Sequence, residues 1–418
     1  MATKLSVSLL LIALTGCAPE LVSRPNDAGP AVDQGDLQPD LGAPSDTAEA
    51  ADRGASADAG AGPDVTPSVD APVSADSPAG DDLGAPARDA GFEADAGQAP
   101  ADTGPVGVDT AVEPSTPPLP ATPGPHRVAV WTGAVSGSSG NARVFYPMGA
   151  SGRDAFPLVV FAHGFQLGVN NYDGLLTHVA SHGYVVASVD YPGSLLRVDH
   201  REVSTALRNV RRAFAMQSVP GFPALAQVDA SRAAAMGHSL GGKGAVMAVL
   251  DDPTAFVAAV ALDPVDDNPA PGGSVSETAP SVAPERMGAL RTPLALFGSS
   301  QGRCTTLGTS CAPESSNYLR FAAAAPSMTP SALYPLLNFG HNDFVDSNCG
   351  FQCNLCARGA APLDSRVAAL RGLSVAFLQR FARGDLRYQP FIDGEGRAAL
   401  VRANTLWNGV ASALPACR

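Results

Sequence analysis

One short turn limits what this chain can fold into more than any other feature. Gly237, His238, Ser239, Leu240 and Gly241 follow a short apolar run at 233–236, and after Gly242, Lys243 and Gly244 the chain continues as a helical apolar run at 245–250. Gly-x-Ser-x-Gly between a strand and a helix is a corner that holds its serine in a strained conformation with the hydroxyl exposed. The glycines leave no Cβ where the backbone crowds. Such a corner needs a strand that ends beneath a helix, so it calls for a layered α/β core and marks Ser239 as a candidate nucleophile.

The sequence around the turn agrees with that demand. Short β-branched or apolar runs at 143–146, 157–162, 184–190, 233–236, 256–262, 294–297 and 333–339 alternate with stretches of helical period. Val203, Leu207, Val210 and Phe214 recur at steps of three and four, and Val367, Leu370, Phe377 and Phe381 in broader steps, so each set lays one helical face on a sheet. The strand runs are apolar on both faces. They predict a mostly parallel sheet with helices on both faces, which together with the Gly-x-Ser-x-Gly turn is an α/β fold of the α/β-hydrolase kind.

A serine nucleophile needs a base, and position sorts the seven histidines. His163 directly follows a strand within Phe161–Phe165, where His-Gly-Phe resembles an oxyanion loop. His238 lies inside the turn and points away if Ser239 points toward the site. His178 and His182 fall on or after the helix that follows Tyr172, and His126 and His200 have no motif around them. His341, flanked by Gly340 and Asn342 after the last predicted strand, stands where the base of an α/β-hydrolase belongs, because the order along the chain is Ser, acid, His. The commonest position for the acid, after the next-to-last strand, reads Phe297, Gly298, Ser299, Ser300 and Gln301, with no carboxylate. One strand earlier, Asp263 ends the run at Leu262, at the carboxyl end where open α/β sheets place their sites. Asp263 is the expected acid, with Asp266 and Asp343 as rivals. The expected reaction is attack by Ser239 on an ester carbonyl, proton removal by His341 and release of an acyl-enzyme by water, with the backbone N–H groups of Leu240 and Phe165 holding the oxyanion.

These residues also carry a family resemblance. The stretch from Phe161 to Pro192, the turn with its Gly-Gly-Lys, Leu-Asp-Pro-Val-Asp at 262–266, Cys-Ala-Pro-Glu at 311–314 and Gly-His-Asn-Asp-Phe at 340–344 together resemble the chlorophyllase family of α/β-hydrolases. More distantly they resemble cutinase-like and platelet-activating-factor-acetylhydrolase-like esterases. The likeness runs in order from about 140 to 390 and implies a triad at Ser239, Asp263 and His341. Plant chlorophyllases typically carry Arg after the nucleophile, where this chain has Leu240, so the resemblance implies carboxylic-ester hydrolysis more firmly than it implies chlorophyll.

Ahead of this pattern the chain changes character. Lys4 precedes an apolar run at 5–14, too short to span a bilayer but of signal-peptide length, and Leu14, Thr15, Gly16 and Cys17 resemble the lipobox of bacterial lipoproteins. Residues 1–17 are therefore expected to be a lipoprotein signal with Cys17 as the lipidation site, since two or more acyl chains give stable anchoring. Ala18, which is not acidic, favours the outer membrane. Residues 18–125 hold 20 Asp and Glu against 3 Arg, with Phe92 as their one aromatic residue, so they cannot bury enough apolar surface to offset chain entropy. They read as a disordered acidic tether with an end-to-end distance of about 55–60 Å. Residues 126–418, with 20 acidic and 23 basic side chains, read as one α/β-hydrolase domain. The net charge of −13 thus belongs to the tether. No basic block interleaved with aromatics argues for nucleic acid.

Six cysteines remain in the exported part: Cys304, Cys311, Cys349, Cys353, Cys356 and Cys417. An even count in an oxidising compartment predicts disulfides, with Cys304–Cys311 the most local pairing and three connectivities open to the other four. Neither a metal nor a cofactor is expected, the partner is a small-molecule or lipid-like ester, and the protein is expected to be a monomer. The alternative from another class is a catalytically silent surface binding module that reuses a hydrolase fold.

Overall fold

The structure is a computed structural model, and it describes residues 115–149, 155–193, 197–267, 275–306, 309–346 and 353–408, with 414, 416 and 417 beyond them. The signal, Cys17, most of the tether and Cys349 lie outside the described residues.

Eight strands form one sheet: β1 (Val128–Ala134), β2 (Asn141–Pro147), β3 (Phe156–Ala162), β4 (Val185–Val189), β5 (Val228–His238), β6 (Ala258–Leu262), β7 (Leu294–Ser299) and β10 (Ser331–Leu336). They lie in the order β1-β2-β4-β3-β5-β6-β7-β10. β2 runs antiparallel to both its neighbours, and every other pairing from β4 to β10 is parallel. A small antiparallel ladder, β8 (Thr305–Thr306) with β9 (Thr309–Ser310), sits in the loop after β7. This is the α/β-hydrolase fold expected from the alternating pattern.

The two-faced apolarity of the strands has a direct structural cause. Leu158, Val160 and Ala162 of β3 join one hydrophobic cluster, while Val159 and Phe161 join the other, as the period of two along a strand requires. The first cluster is covered by α2 (His200–Ala215) and α3 (Leu240–Asp251), the second by α1 (Asp173–Ser181) and α5 (Leu363–Phe381). α2 presents Val203, Leu207, Val210 and Phe214 inward, and Asp199 caps its start by accepting the Arg201 N–H at 2.9 Å. α3 is buried from Leu240 to Val249. Its small residues let it lie close: a Cβ on Gly244 would stand 2.3 Å from Val203 Cγ1 of α2.

Three features escaped the sequence reading. β1 forms an edge strand whose residues are half-buried or exposed, its short apolar stretch Val128–Trp131 giving way to Thr132 and Gly133. The other edge, β10, is covered by the chain after α7 (Glu395–Arg402): the Leu337 N–H donates to Thr405 O and the Trp407 N–H to Pro335 O. At the amino end, the tether boundary drawn at 125 from composition falls inside a packed strap. Pro120 is buried, His178 Nε2 donates to Pro120 O at 2.9 Å, His182 Nε2 donates to Thr122 O at 3.0 Å, and the Gly124 N–H donates to Ser181 Oγ at 2.8 Å.

The local Cys304–Cys311 pairing does not form. Cys304 is bonded to Cys417 and Cys311 to Cys356, across 113 and 45 residues. Tertiary contacts decide this: Gln301 Nε2 donates to Ala416 O, which brings the carboxyl terminus beside the turn that holds Cys304. Cys353 is disulfide-bonded as well. Among the described residues no helix is long and apolar enough to cross a membrane.

Candidate active site

Ser239 stands between β5 and α3 at φ 57°, ψ −119°, a region side-chain-bearing residues rarely adopt and one that costs about 1–3 kcal/mol. The surroundings impose it. The Ser239 N–H donates to Leu262 O at 2.9 Å, and its own carbonyl accepts the Lys243 N–H at 3.0 Å. A Cβ on Gly237 would meet Gly241 O at 2.3 Å, and one on Gly241 would meet Ala162 O at 2.1 Å, so both positions need glycine for space alone. Ser239 keeps 8% of its surface exposed.

His341 opens a 3-10 turn, His341–Phe344, after β10, and its ring joins the other two candidates. Nε2 lies 3.0 Å from Ser239 Oγ and Nδ1 lies 2.7 Å from Asp263 Oδ2. Asp263 is fully buried at the end of β6, with φ 43°. Its carboxylate also accepts the Ser299 N–H on Oδ1 at 2.9 Å and the Ser299 hydroxyl on Oδ2 at 2.8 Å. Ser299 is the residue sequence reasoning missed. The end of β7, searched for a carboxylate, instead supplies two donors to a carboxylate one strand away.

The rival acids have other partners. Asp266 pairs with Lys243 Nζ at 3.0 Å, both side chains being fully buried, and accepts the Val282 and Ala283 N–H groups and the Ser281 hydroxyl. Burial pulls the Lys243 ammonium below its usual range, and the Asp266 charge opposes that pull. Asp343 ion-pairs with Arg366 and accepts the N–H groups of Gly340 and Gly359, each at 2.7 Å, which clasps the two ends of the His341 loop.

The remaining histidines serve structure. Both His163 nitrogens face oxygens, Gly164 O at 2.8 Å and Asp190 Oδ1 at 3.0 Å, and the ring stacks on Tyr191. His238 points away from Ser239, with Nδ1 at 2.8 Å from the Tyr172 hydroxyl and Nε2 at 3.0 Å from His341 O. Burial, and then the neighbouring His341, hold it well below the usual histidine range. Burial likewise holds His178 and His200 down at about 4. His126 meets Phe156 edge-on. Leu240 begins α3, where the first N–H groups of a helix have no partner within it. The loop that carries Phe165 abuts the turn, since a Cβ on Gly241 would also stand 2.5 Å from His163 O. Among the described residues no cluster of His, Cys, Asp or Glu is arranged to hold a metal ion.

A mostly parallel sheet that brings a strained serine, a histidine and a buried aspartate together at its carboxyl end defines an α/β-hydrolase. The family model for chlorophyllase matches residues 140–400, and the chain belongs to that family. It is 26% identical over 243 residues to Chlorophyllase-1, chloroplastic, of Citrus sinensis, covering 56% of this chain and 71% of the relative. It is 27% identical over 246 residues to Chlorophyllase-1 of Arabidopsis thaliana, covering 54% and 71%. It is also 27% identical over 304 residues to a bis(hydroxyethyl) terephthalate hydrolase of Streptomyces coelicolor, covering 72% and 79%. The protein is a carboxylic ester hydrolase, and the silent binding module is set aside.

Proposed function

We propose that the protein is an exported serine esterase, held to the bacterial cell envelope by lipid on Cys17, that cleaves small-molecule or lipid-like esters through an acyl-enzyme. The observation that carries the chemistry is the unbroken hydrogen-bond chain from Ser239 through His341 to Asp263. A carboxylate only accepts, so the imidazole proton sits on Nδ1 and leaves Nε2 bare to take the Ser239 proton. Ser239 then attacks the ester carbonyl, and His341 passes the proton to the leaving alcohol. Water, activated in turn by His341, releases the acid. Asp263 steadies the imidazolium at each stage. The N–H groups of Leu240 and Phe165 receive the oxyanion, and being backbone groups they survive side-chain substitution.

Relatives named chlorophyllase and bis(hydroxyethyl) terephthalate hydrolase support the reading of a carboxylic ester hydrolase. The test is Ser239→Ala. It abolishes turnover of p-nitrophenyl esters and covalent labelling by a fluorophosphonate, and retention of either ends the serine reading. Growth with radioactive palmitate labels the wild type and leaves Cys17→Ser unlabelled; label on both or neither removes the anchor.

A further inference from the structure

Behind the triad lies a buried chain of hydrogen bonds that the reaction as described does not use. The Gly164 N–H donates to the Tyr172 hydroxyl at 3.0 Å, that hydroxyl lies 2.8 Å from His238 Nδ1, and His238 Nε2 lies 3.0 Å from His341 O. Tyr172 and His238 are fully buried. Every proton in the chain has one allowed place. A carbonyl only accepts, so His238 carries its proton on Nε2, and Nδ1, left bare, accepts from Tyr172. Tyr172 must then be a neutral phenol that accepts from Gly164 and donates to His238.

The chain joins three segments that have to keep register for acyl transfer. Gly164 precedes Phe165 in the oxyanion loop, His238 precedes Ser239 at the end of β5, and His341 is the base. We propose that Tyr172 and His238 are a positioning relay that locks the oxyanion loop and the base loop to the nucleophile turn. The proposal rests on the serine-esterase reading given above.

Two further observations agree with it. A Cβ on Gly164 would stand 3.2 Å from both His238 Nδ1 and the Tyr172 oxygen, so the oxyanion loop lies tight against the relay. The His238 and His341 ring centroids are 4.8 Å apart. A charged His238 there would oppose the imidazolium that His341 becomes during the reaction, and burial keeps His238 neutral. The relay therefore fixes geometry without adding a like charge beside the base.

The experiment uses the full-length protein in detergent, with p-nitrophenyl acetate turnover, the rate of fluorophosphonate labelling and the melting temperature as readouts. His238→Phe keeps a ring against Phe344 and removes both bonds. It lowers kcat about 100-fold, the scale of a roughly 1 Å misplacement, with KM within about twofold and labelling slowed in proportion. His238→Gln restores a donor to His341 O and recovers at least about tenfold of that loss. Tyr172→Phe, which removes one oxygen, lowers kcat about tenfold. Wild-type kcat in either Phe variant overturns the relay, as does equal impairment of His238→Phe and His238→Gln. A wild type that takes no label overturns the esterase reading itself, which is a separate result from a labelled wild type with an unaffected His238→Phe.

Discussion

Ser299 gives the Asp263 carboxylate two of its three hydrogen bonds. The Ser299 hydroxyl shares Oδ2 with His341 Nδ1, so it fixes how the carboxylate faces the imidazole. Ser299→Ala removes that donor and leaves the backbone N–H on Oδ1. A hydrogen bond to a charged group is worth about 1.5–3 kcal/mol, so kcat is expected to fall about 10- to 100-fold with little change in KM. Asp263→Asn presents the wrong partner to Nδ1 and is expected to lose about 10⁴ in kcat. If Asp343→Asn proved crippling and Asp263→Asn mild, Asp263 would not be the operative acid. The grouping of Ser239, Asp263 and His341 was legible in the sequence because Ser239 and Asp263 stand at strand ends and His341 follows the last strand in a fixed chain order. Ser299 was not, because the search at β7 was for a carboxylate, and a hydroxyl at a strand end is common enough to carry no signal.

At the level of elements, α3 is tied to the loop after β6 by a fully buried pair, Lys243 and Asp266, with Lys243 Nζ also 3.2 Å from Asp266 O. Asp266 in turn holds the chain at 281–283, and its N–H donates to Asn317 Oδ1 just before α4 (Tyr318–Ala324). Removing one partner of such a pair strands the other charge, so Lys243→Met is expected to cost about 3–5 kcal/mol in urea denaturation at pH 7. Lys243→Met combined with Asp266→Asn recovers part of that loss, and a single-variant cost below about 1 kcal/mol would show that the pair does not hold α3. The central strands were readable because burial on both faces leaves an unmistakable apolar run. β1 was not, since its apolar stretch Val128–Trp131 breaks off at Thr132 and Gly133 and, at the sheet edge, alternates half-buried with exposed residues. The strap ahead of it has the proline-rich composition of the tether, and what fastens it is donated from elsewhere, by His178 and His182 near the end of α1. Composition of the strap alone carries no trace of those partners.

Across the whole molecule, three buried histidines set a direction for stability against pH. His178 and His200 sit at about 4 in the fold and His238 is held well below its usual range, chiefly through burial, against an unfolded value near 6.5. Among the described residues, the His178 and His200 Nδ1 atoms are each buried without a hydrogen-bond partner, so a proton added there gains no partner. The folded state thus binds fewer protons than the unfolded chain between these values. Stability present above pH 6.5 is lost as pH falls toward 4, by up to about 1.4 kcal/mol per pH unit for each histidine that must stay neutral. The disulfides Cys304–Cys417 and Cys311–Cys356 do not titrate, and they hold the loops after β7 and β10 through the same range. Urea midpoints at pH 7.5, 6.5, 5.5 and 4.5 are therefore expected to fall steadily below 6.5. His178→Gln keeps a donor for Pro120 O and removes one titrating ring, so it makes the slope shallower. A midpoint unchanged from pH 7.5 to 4.5, or a slope that His178→Gln leaves as steep as before, would mean that these rings are not what the acid-sensitive fold must keep neutral.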